Sequence, residues 1–444
     1  MTLPSVHRFQ GFWDSLNMSE NPIRVFSRYL DKLGSSYYFP FGGIKQALVT
    51  TDPLLIEHVL QKNYKNYGKS EIQTKKMGQF LGDGLLTSHG SYWLTQRRII
   101  QEGFKKDRLQ SYLQGMEEIV SRNLIALGAQ TNTSTNLDTF LKKVTFEMVM
   151  GSLFSERIDP KDLQTVAYTI GAVQKYILNQ IVQPYLTPWT KISGEYSQHQ
   201  RNRELSDQVI RSIIQNRKGQ YHPQADILDI LLQVKYQETG KGMTDSQILQ
   251  ESMQLIVAGH ETSSTVLLWT IYLLTQHPEI YEKVKSELEG LSNISMESLS
   301  TLTYTLQVLQ EAMRLYPPFW MIDREALADD EVGGIRIDKG TMVLVYIYGV
   351  HHSSEYWEDP DSFNPNRFHG GNPKKETPFT YLPFGAGPKG CIGGNYATLQ
   401  MLVILKKLLA AYEITFTGGK NVGIAPLIML KPKEELFFNL KERK

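Results

Sequence analysis

Cys391 is the only cysteine among 444 residues, and its surroundings could equip it for chemistry. The stretch 381–395 reads YLPFGAGPKGCIGGN. Glycines at 385, 387, 390, 393 and 394, with Pro383 and Pro388 among them, rule out a helix or a regular strand there. Such a backbone can approach another group closely and leaves some amides free to point inward. From 396 to 412 the residues follow an amphipathic helical pattern. Cys391 is therefore expected just before a helix N-terminus, where the dipole and open N–H groups lower a thiol pKa and favour thiolate. A thiolate there has three uses: nucleophile, metal ligand, or none. A lone cysteine is most often a small core residue. The glycine cage favours the ligand, because amides aimed at sulfur tune a metal thiolate. No local signature of a partner histidine supports a cysteine protease.

A second set of polar residues lies at 258–263, Ala-Gly-His-Glu-Thr-Ser. Glu261 can relay protons inward. The Thr262 hydroxyl can break the local helical ladder and hold water. Two further spacings stand out. Glu311 and Arg314 at i and i+3 share one helix face, a spacing usually found in a plain surface pair. Trp93 and Arg97 stand at i and i+4, with Arg98 adjacent, and alone they fit an amphipathic surface helix.

These residues need elements to position them. The longest helix is expected from about Asp245 to Gln276, with Thr244 and Gln247 as a capping box and Pro278 just beyond its end. At 1.5 Å per residue it would span roughly 48 Å. It is apolar nearly all round, at Leu255, Ile256, Val257, Val266, Leu267, Leu268, Ile271 and Leu273, as a helix running through a core would be. The 258–263 cluster lies at its middle, where polar groups are costly unless satisfied or used. Strand-like runs are short, near 36–38, 46–50, 341–346 and 435–439. The fold class expected is mainly α with a small segregated β region, in one domain spanning 1–444.

Composition narrows the function classes. Net charge is +1, with 47 basic and 46 acidic residues, so no nucleic-acid footprint shows. One cysteine excludes an intramolecular disulfide. The ten histidines lack the paired spacings of a closed zinc site. There is no signal-like segment and no run of eighteen apolar residues, so a cytoplasmic protein without a membrane anchor is expected.

Phe384, Gly387, Cys391 and Gly393 match the cysteine loop of the cytochrome P450 family, which the chain resembles from about residue 20 to 440. The other motifs occur in family order: Trp93 and Arg97, the 258–263 segment, Glu311 and Arg314, and Pro365-Asn366-Arg367-Phe368. The resemblance implies a single-domain cytochrome P450 fold with a long central helix over heme b, whose iron is held by the Cys391 thiolate. It implies heme contacts from Trp93, Arg97, Arg324, Phe384, Lys389 and Gly393. Lys389 stands where the family usually has Arg or His, and it can neutralise a propionate as a point charge but not as a fork. Glu311, Arg314 and Arg367 would form a buried triad bracing the cysteine loop. Catalytic work would fall to Glu261 and Thr262 as the proton-delivery pair, with Gly259 leaving room for dioxygen.

The activity implied is that of a monooxygenase fed by separate redox proteins, a ferredoxin and its reductase. An intact Glu261–Thr262 pair argues against a peroxide-driven enzyme and a non-catalytic heme carrier. Within the family the chain is similar to a marine bacterial group that demethylates 6-O-methyl-D-galactose, releasing galactose and formaldehyde. The alternative is hydroxylation of fatty acids or other lipids. Walls are expected from 69–85, 173–183, the central helix, 319–322 and 426–428. Phe319 and Trp320 could stack on a sugar or cover an alkyl chain, and Asn179, Gln180 and Gln183 give one helix a polar edge.

Overall fold

A computed structural model describes residues 3–18, 21–43, 45–128, 134–182, 187–219, 226–237, 239–370, 378–419 and 421–443. Helices predominate, and the strands gather into small sheets. The largest sheet has five strands, in the order Ser36–Phe41, Lys45–Thr50, Met342–Val345, Ile322–Ala326, Tyr67–Gly68. Lys45–Thr50 lies parallel to Met342–Val345, with Leu48 opposite Val343. The two-residue strand Tyr67–Gly68 pairs with Ala326 and Glu325, which brings Lys69 beside Arg324. Two of the strand-like runs therefore form strands within a residue, the first extends three residues further to Phe41, and the fourth moves to Phe437–Glu442.

The central helix spans Asp245–Gln276, bounded as its sequence signals require. Thr244 Oγ1 accepts from the Gln247 N–H at 3.3 Å, and Gln247 Oε1 accepts from the Thr244 N–H at 2.9 Å. Pro278 opens the next helix, Pro278–Glu289. Ile248, Ile256, Leu267, Ile271 and Leu274 are buried, each contributing on the order of 1.5–3 kcal/mol. The strongest neighbour is the helix Leu137–Leu153. A Cβ on Gly259 would come 2.9 Å from Val149 Cγ2 of that helix. Gly259 thus allows close packing of the two helices, and it is half-buried. His260 faces the same neighbour, its ring edge-on to Phe146 with centroids 5.2 Å apart and Nδ1 2.9 Å from the Ile256 carbonyl.

Between Glu251 and Leu274 every side of the central helix is buried except at Val257, Ala258, Gly259 and Thr262, which are half-buried. Ala258 and Thr262, one turn apart, share a face. That small residue followed by a hydroxyl is where the helix is open. No helix among the described residues is long and apolar enough to cross a membrane.

Candidate functional site

The cysteine loop is held from behind by a buried polar brace. On the helix Thr303–Leu315, Arg314 donates to Glu311 from Nε at 2.8 Å and Nη2 at 2.9 Å. Its Nη1 donates to the His351 and Pro360 carbonyls, both at 2.7 Å, and Nη2 to the Ser362 carbonyl at 3.1 Å. Arg367 Nε reaches Glu311 Oε1 at 3.1 Å, and the Asn364 N–H reaches it at 3.0 Å. The three charged residues do form one cluster.

A neutral histidine connects the brace to the loop. The Leu382 N–H donates to His351 Nε2 at 2.8 Å, so that nitrogen is an acceptor and the proton sits on Nδ1, which donates to the Arg314 carbonyl at 3.1 Å. Burial holds the His351 imidazole well below its ordinary pKa. The Tyr381 hydroxyl donates to the Gln310 carbonyl at 2.9 Å.

From Leu382 the loop runs to the cysteine. Gly387 has φ of +66°, and a Cβ there would sit 1.9 Å from the Leu60 carbonyl oxygen, so both conformation and space demand glycine. The Cys391 N–H donates to the Phe384 carbonyl at 2.8 Å, closing the turn. Gly393 caps the helix Gly394–Ala411, and its N–H bonds the Cys391 sulfur. Cys391 is accessible, although most of its surroundings are protein. Burial pushes the thiol up, and the Gly393 N–H and the Arg97 guanidinium do not offset it. The N–H at the helix N-terminus favours thiolate, as expected, but within the protein alone burial outweighs it. A coordinated cation would reverse this, since a metal-bound thiol is deprotonated outright.

Arg97 and Trp93 lie on the helix Gly90–Gln101. Arg97 Nη1 donates to the Gly390 carbonyl at 2.8 Å, beside the cysteine, whereas Arg98 is exposed. Lys389 lies 5.9 Å from the ring centre of buried Trp93. Its ammonium donates to the main-chain carbonyls of Tyr64 at 3.0 Å and Tyr67.

Near Lys389 stand buried Arg324 and a residue the sequence reading did not single out, Lys69. Burial and the Arg324 charge pull the Lys389 ammonium down to about 8. Burial, Arg324 and Lys389 pull Lys69 down to about 7. The carboxylates acting on them are engaged by other groups, Glu251 through one oxygen only. Asp323 accepts from Ser70 and, at 2.8 Å, from Gln73, while Glu251 accepts from the Leu85 N–H at 3.0 Å. Three cations held together this way suit a ligand that brings its own carboxylates.

On the central helix, Thr262 Oγ1 donates to the Ala258 carbonyl at 2.8 Å. Glu261 is buried and points elsewhere. It accepts from Gln174 Nε2 at 2.6 Å and pairs with Lys431. Burial would raise its carboxyl, but Lys431 leads the interactions that more than offset this and hold it below the usual range. Lys431 and Gln174 were not legible as partners from sequence.

Of the expected pocket residues, Trp320 is not a stacking surface. It is buried, its indole N–H donates to the Leu427 carbonyl at 2.7 Å, and its ring packs against Phe26. Phe319 and Asn179 are exposed, Gln180 is buried, and Gln183 lies outside the described residues. The wall over the central helix is apolar. Phe80, Val173, Tyr176 and Ile177 cluster with Ile428. Two bonds fix where this cluster sits: Gln254 Nε2 donates to the Leu81 carbonyl at 3.1 Å, and Gln174 bonds Glu261. These bonds tie the segments that carry the cluster to the central helix at Gln254 and Glu261.

The geometry agrees with the comparisons. The family model for cytochrome P450 matches residues 2–437. Cyclooctat-9-en-7-ol 5-monooxygenase of Streptomyces melanosporofaciens is 29% identical over 386 residues, covering 86% of this chain and 83% of that protein. The ultra-long-chain fatty acid omega-hydroxylase of Homo sapiens is 25% identical over 441 residues, covering 93% and 83%. The fold matches the crystal structure of the cytochrome P450DA heme domain with a TM-score of 0.88 at 22% identity, covering 100% of this chain and 97% of that one. This chain belongs to the cytochrome P450 family and is an oxidoreductase of the heme-thiolate kind.

Proposed function

We propose that Cys391 is the thiolate ligand of heme b and that the enzyme oxidises an aliphatic carbon of an amphipathic substrate lying against Ala258. The residues fit the group. The cysteine is accessible and backed by an N–H, and Gly387 permits the close turn that presents it. Lys69, Arg324 and Lys389, with Trp93 and Arg97 beside them, match two propionates, whose charges need cations where they are partly buried. Phe384 and Gly393 frame the sulfur. The chemistry that bound heme supplies is reductive activation of dioxygen, with one oxygen atom going to carbon and the other to water. Its two electrons come from separate proteins, a ferredoxin and its reductase.

The chain's own part is to hold the substrate and deliver protons. Thr262 Oγ1 sits on the open face of the central helix, where it can hold a water. Glu261, one residue earlier, is the buried carboxylate from which protons reach that face, and Lys431 supplies the cation that keeps it ionised until a proton arrives.

The single observation that carries the substrate class is the apolar cluster of Phe80, Val173, Tyr176 and Ile177 with Ile428, on segments bonded to the central helix on either side of Ala258. A hydrocarbon matches it, and the named activity of the human relative concerns a fatty acid. The second reading, demethylation of 6-O-methyl-D-galactose, rests on the sequence resemblance. A sugar would need several converging hydrogen-bond groups. Spectral titration of the ferric protein separates the two. A saturable shift toward high spin with long-chain fatty acids is expected. A shift only with the methyl sugar, absent with galactose, would replace the hydrocarbon reading by demethylation.

A further inference from the structure

Six residues along the helix Pro160–Val182 from Gln174, roughly 9 Å at 1.5 Å per residue, is a cavity of about 130 Å³. Lys76, Phe80, Tyr176, Gln180, Thr187 and Lys191 are among its lining residues, and no aspartate or glutamate is. The neutral polar groups are largely satisfied within the protein. Gln180 Oε1 accepts from Thr187 and, at 3.4 Å, from Lys76, and its Nε2 donates to Thr190 Oγ1 at 3.1 Å. The Tyr176 hydroxyl meets the same Thr190 oxygen at 3.1 Å. The hydrogen-bonding capacity left over is cationic. Lys76 has donors to spare, and Lys191 has no hydrogen bond or ion pair among the described residues. Burial and the Lys191 charge both pull the Lys76 ammonium down, so the two like charges repel across the hollow. An anion between them would relieve that repulsion.

We propose that this cavity is the subsite for an anionic group on the substrate, bound between Lys76 and Lys191. The inference rests on the proposed monooxygenase reading and extends it. Phe80 and Ile177 line the cavity and pack with Val173 in one apolar cluster, so the stretch of substrate next to its anionic group is apolar. A fatty-acid carboxylate fits, and so does the acid group of a sulfated sugar whose apolar edge faces the wall. The lysines select for the charge, and oxidation falls away from it.

The test compares Lys76→Gln, Lys191→Gln and the double variant with the unaltered holoenzyme. Spin-state titrations would use a long-chain fatty acid, its methyl ester, a sulfated methyl sugar and neutral 6-O-methyl-D-galactose. Losing one charge-assisted hydrogen bond should weaken acid binding about tenfold. The double variant should lose more, the ester should change less than about twofold, and added salt should weaken acid binding in the unaltered enzyme. Equal losses for acid and ester, or no loss for either, would overturn the anion site while leaving the hydrocarbon reading standing. A lysine-dependent shift with the sulfated sugar and none with fatty acids would support the anion site and remove the hydrocarbon reading. A shift with the neutral sugar alone would overturn both.

Discussion

Replacing Arg314 by alanine is expected to lower the unfolding free energy by about 3–5 kcal/mol, the cost of breaking a buried ion pair from one side. The residue is fully buried, with every guanidinium nitrogen engaged. Among the described residues, its removal leaves Glu311 with only Arg367 and the Asn364 N–H, and it removes the donor to the carbonyls of His351, Pro360 and Ser362. The ring of Trp357, 5.2 Å from the guanidinium carbon, loses its cation as well. Because domains are commonly stable by only about 5–15 kcal/mol, a large share of stability goes. The damage should reach the cofactor too, since Arg314 Nη1 holds the His351 carbonyl and His351 Nε2 holds Leu382 at the start of the cysteine loop. Urea unfolding followed by tryptophan fluorescence, with heme content measured in parallel, checks both effects. Arg314→Lys keeps the charge but not the fork, and should fall between. A loss below about 1 kcal/mol for the alanine variant would show that the brace is not structural.

Glu261→Gln is expected to reduce product formation about 100-fold or more, within the range for a general acid–base group. Substrate binding should persist, since the carboxylate points at Lys431 and Gln174 rather than at the open face holding Ala258 and Thr262. Reducing equivalents would then be consumed with little product. Lys431→Met tests the same carboxylate from its partner's side. With the ammonium gone, burial dominates and the Glu261 pKa rises. The acidic limb of the pH–rate profile should move to higher pH. The stability sign follows. Glu261 is held below its unfolded value in the intact protein, so its contribution is present above the unfolded pKa and fades as pH falls through the folded one. Full product yield from the glutamine variant would remove Glu261 from proton delivery.

What the sequence made legible was local. The central helix could be bounded because its cap, its apolar periodicity and its terminating proline are all within one stretch of chain. The cysteine loop could be recognised because Phe384, Gly387, Cys391 and Gly393 lie within ten positions. The partners brought in from afar were not legible. Lys69 reaches Arg324 only because Tyr67–Gly68 pairs with Glu325 and Ala326. Lys431 meets Glu261 across 170 positions, and His351 links two motifs without belonging to either. The close approach of Gly259 to Val149, 110 positions away in the chain, was not legible either. Trp320 was assigned to the pocket by position in the chain, but its indole N–H is satisfied by Leu427 and its ring belongs to the core beside Phe26.

The central claim, that Cys391 is the thiolate holding the heme iron, is tested most directly by the carbon-monoxide difference spectrum of the reduced protein beside that of Cys391→Ser. The intact protein should show the long-wavelength band of a thiolate-ligated ferrous heme. The serine variant should fold and lose that band, with any bound heme absorbing where a thiolate is absent. A serine variant that kept the thiolate band would contradict the assignment, because no other cysteine exists in the chain to supply the ligand.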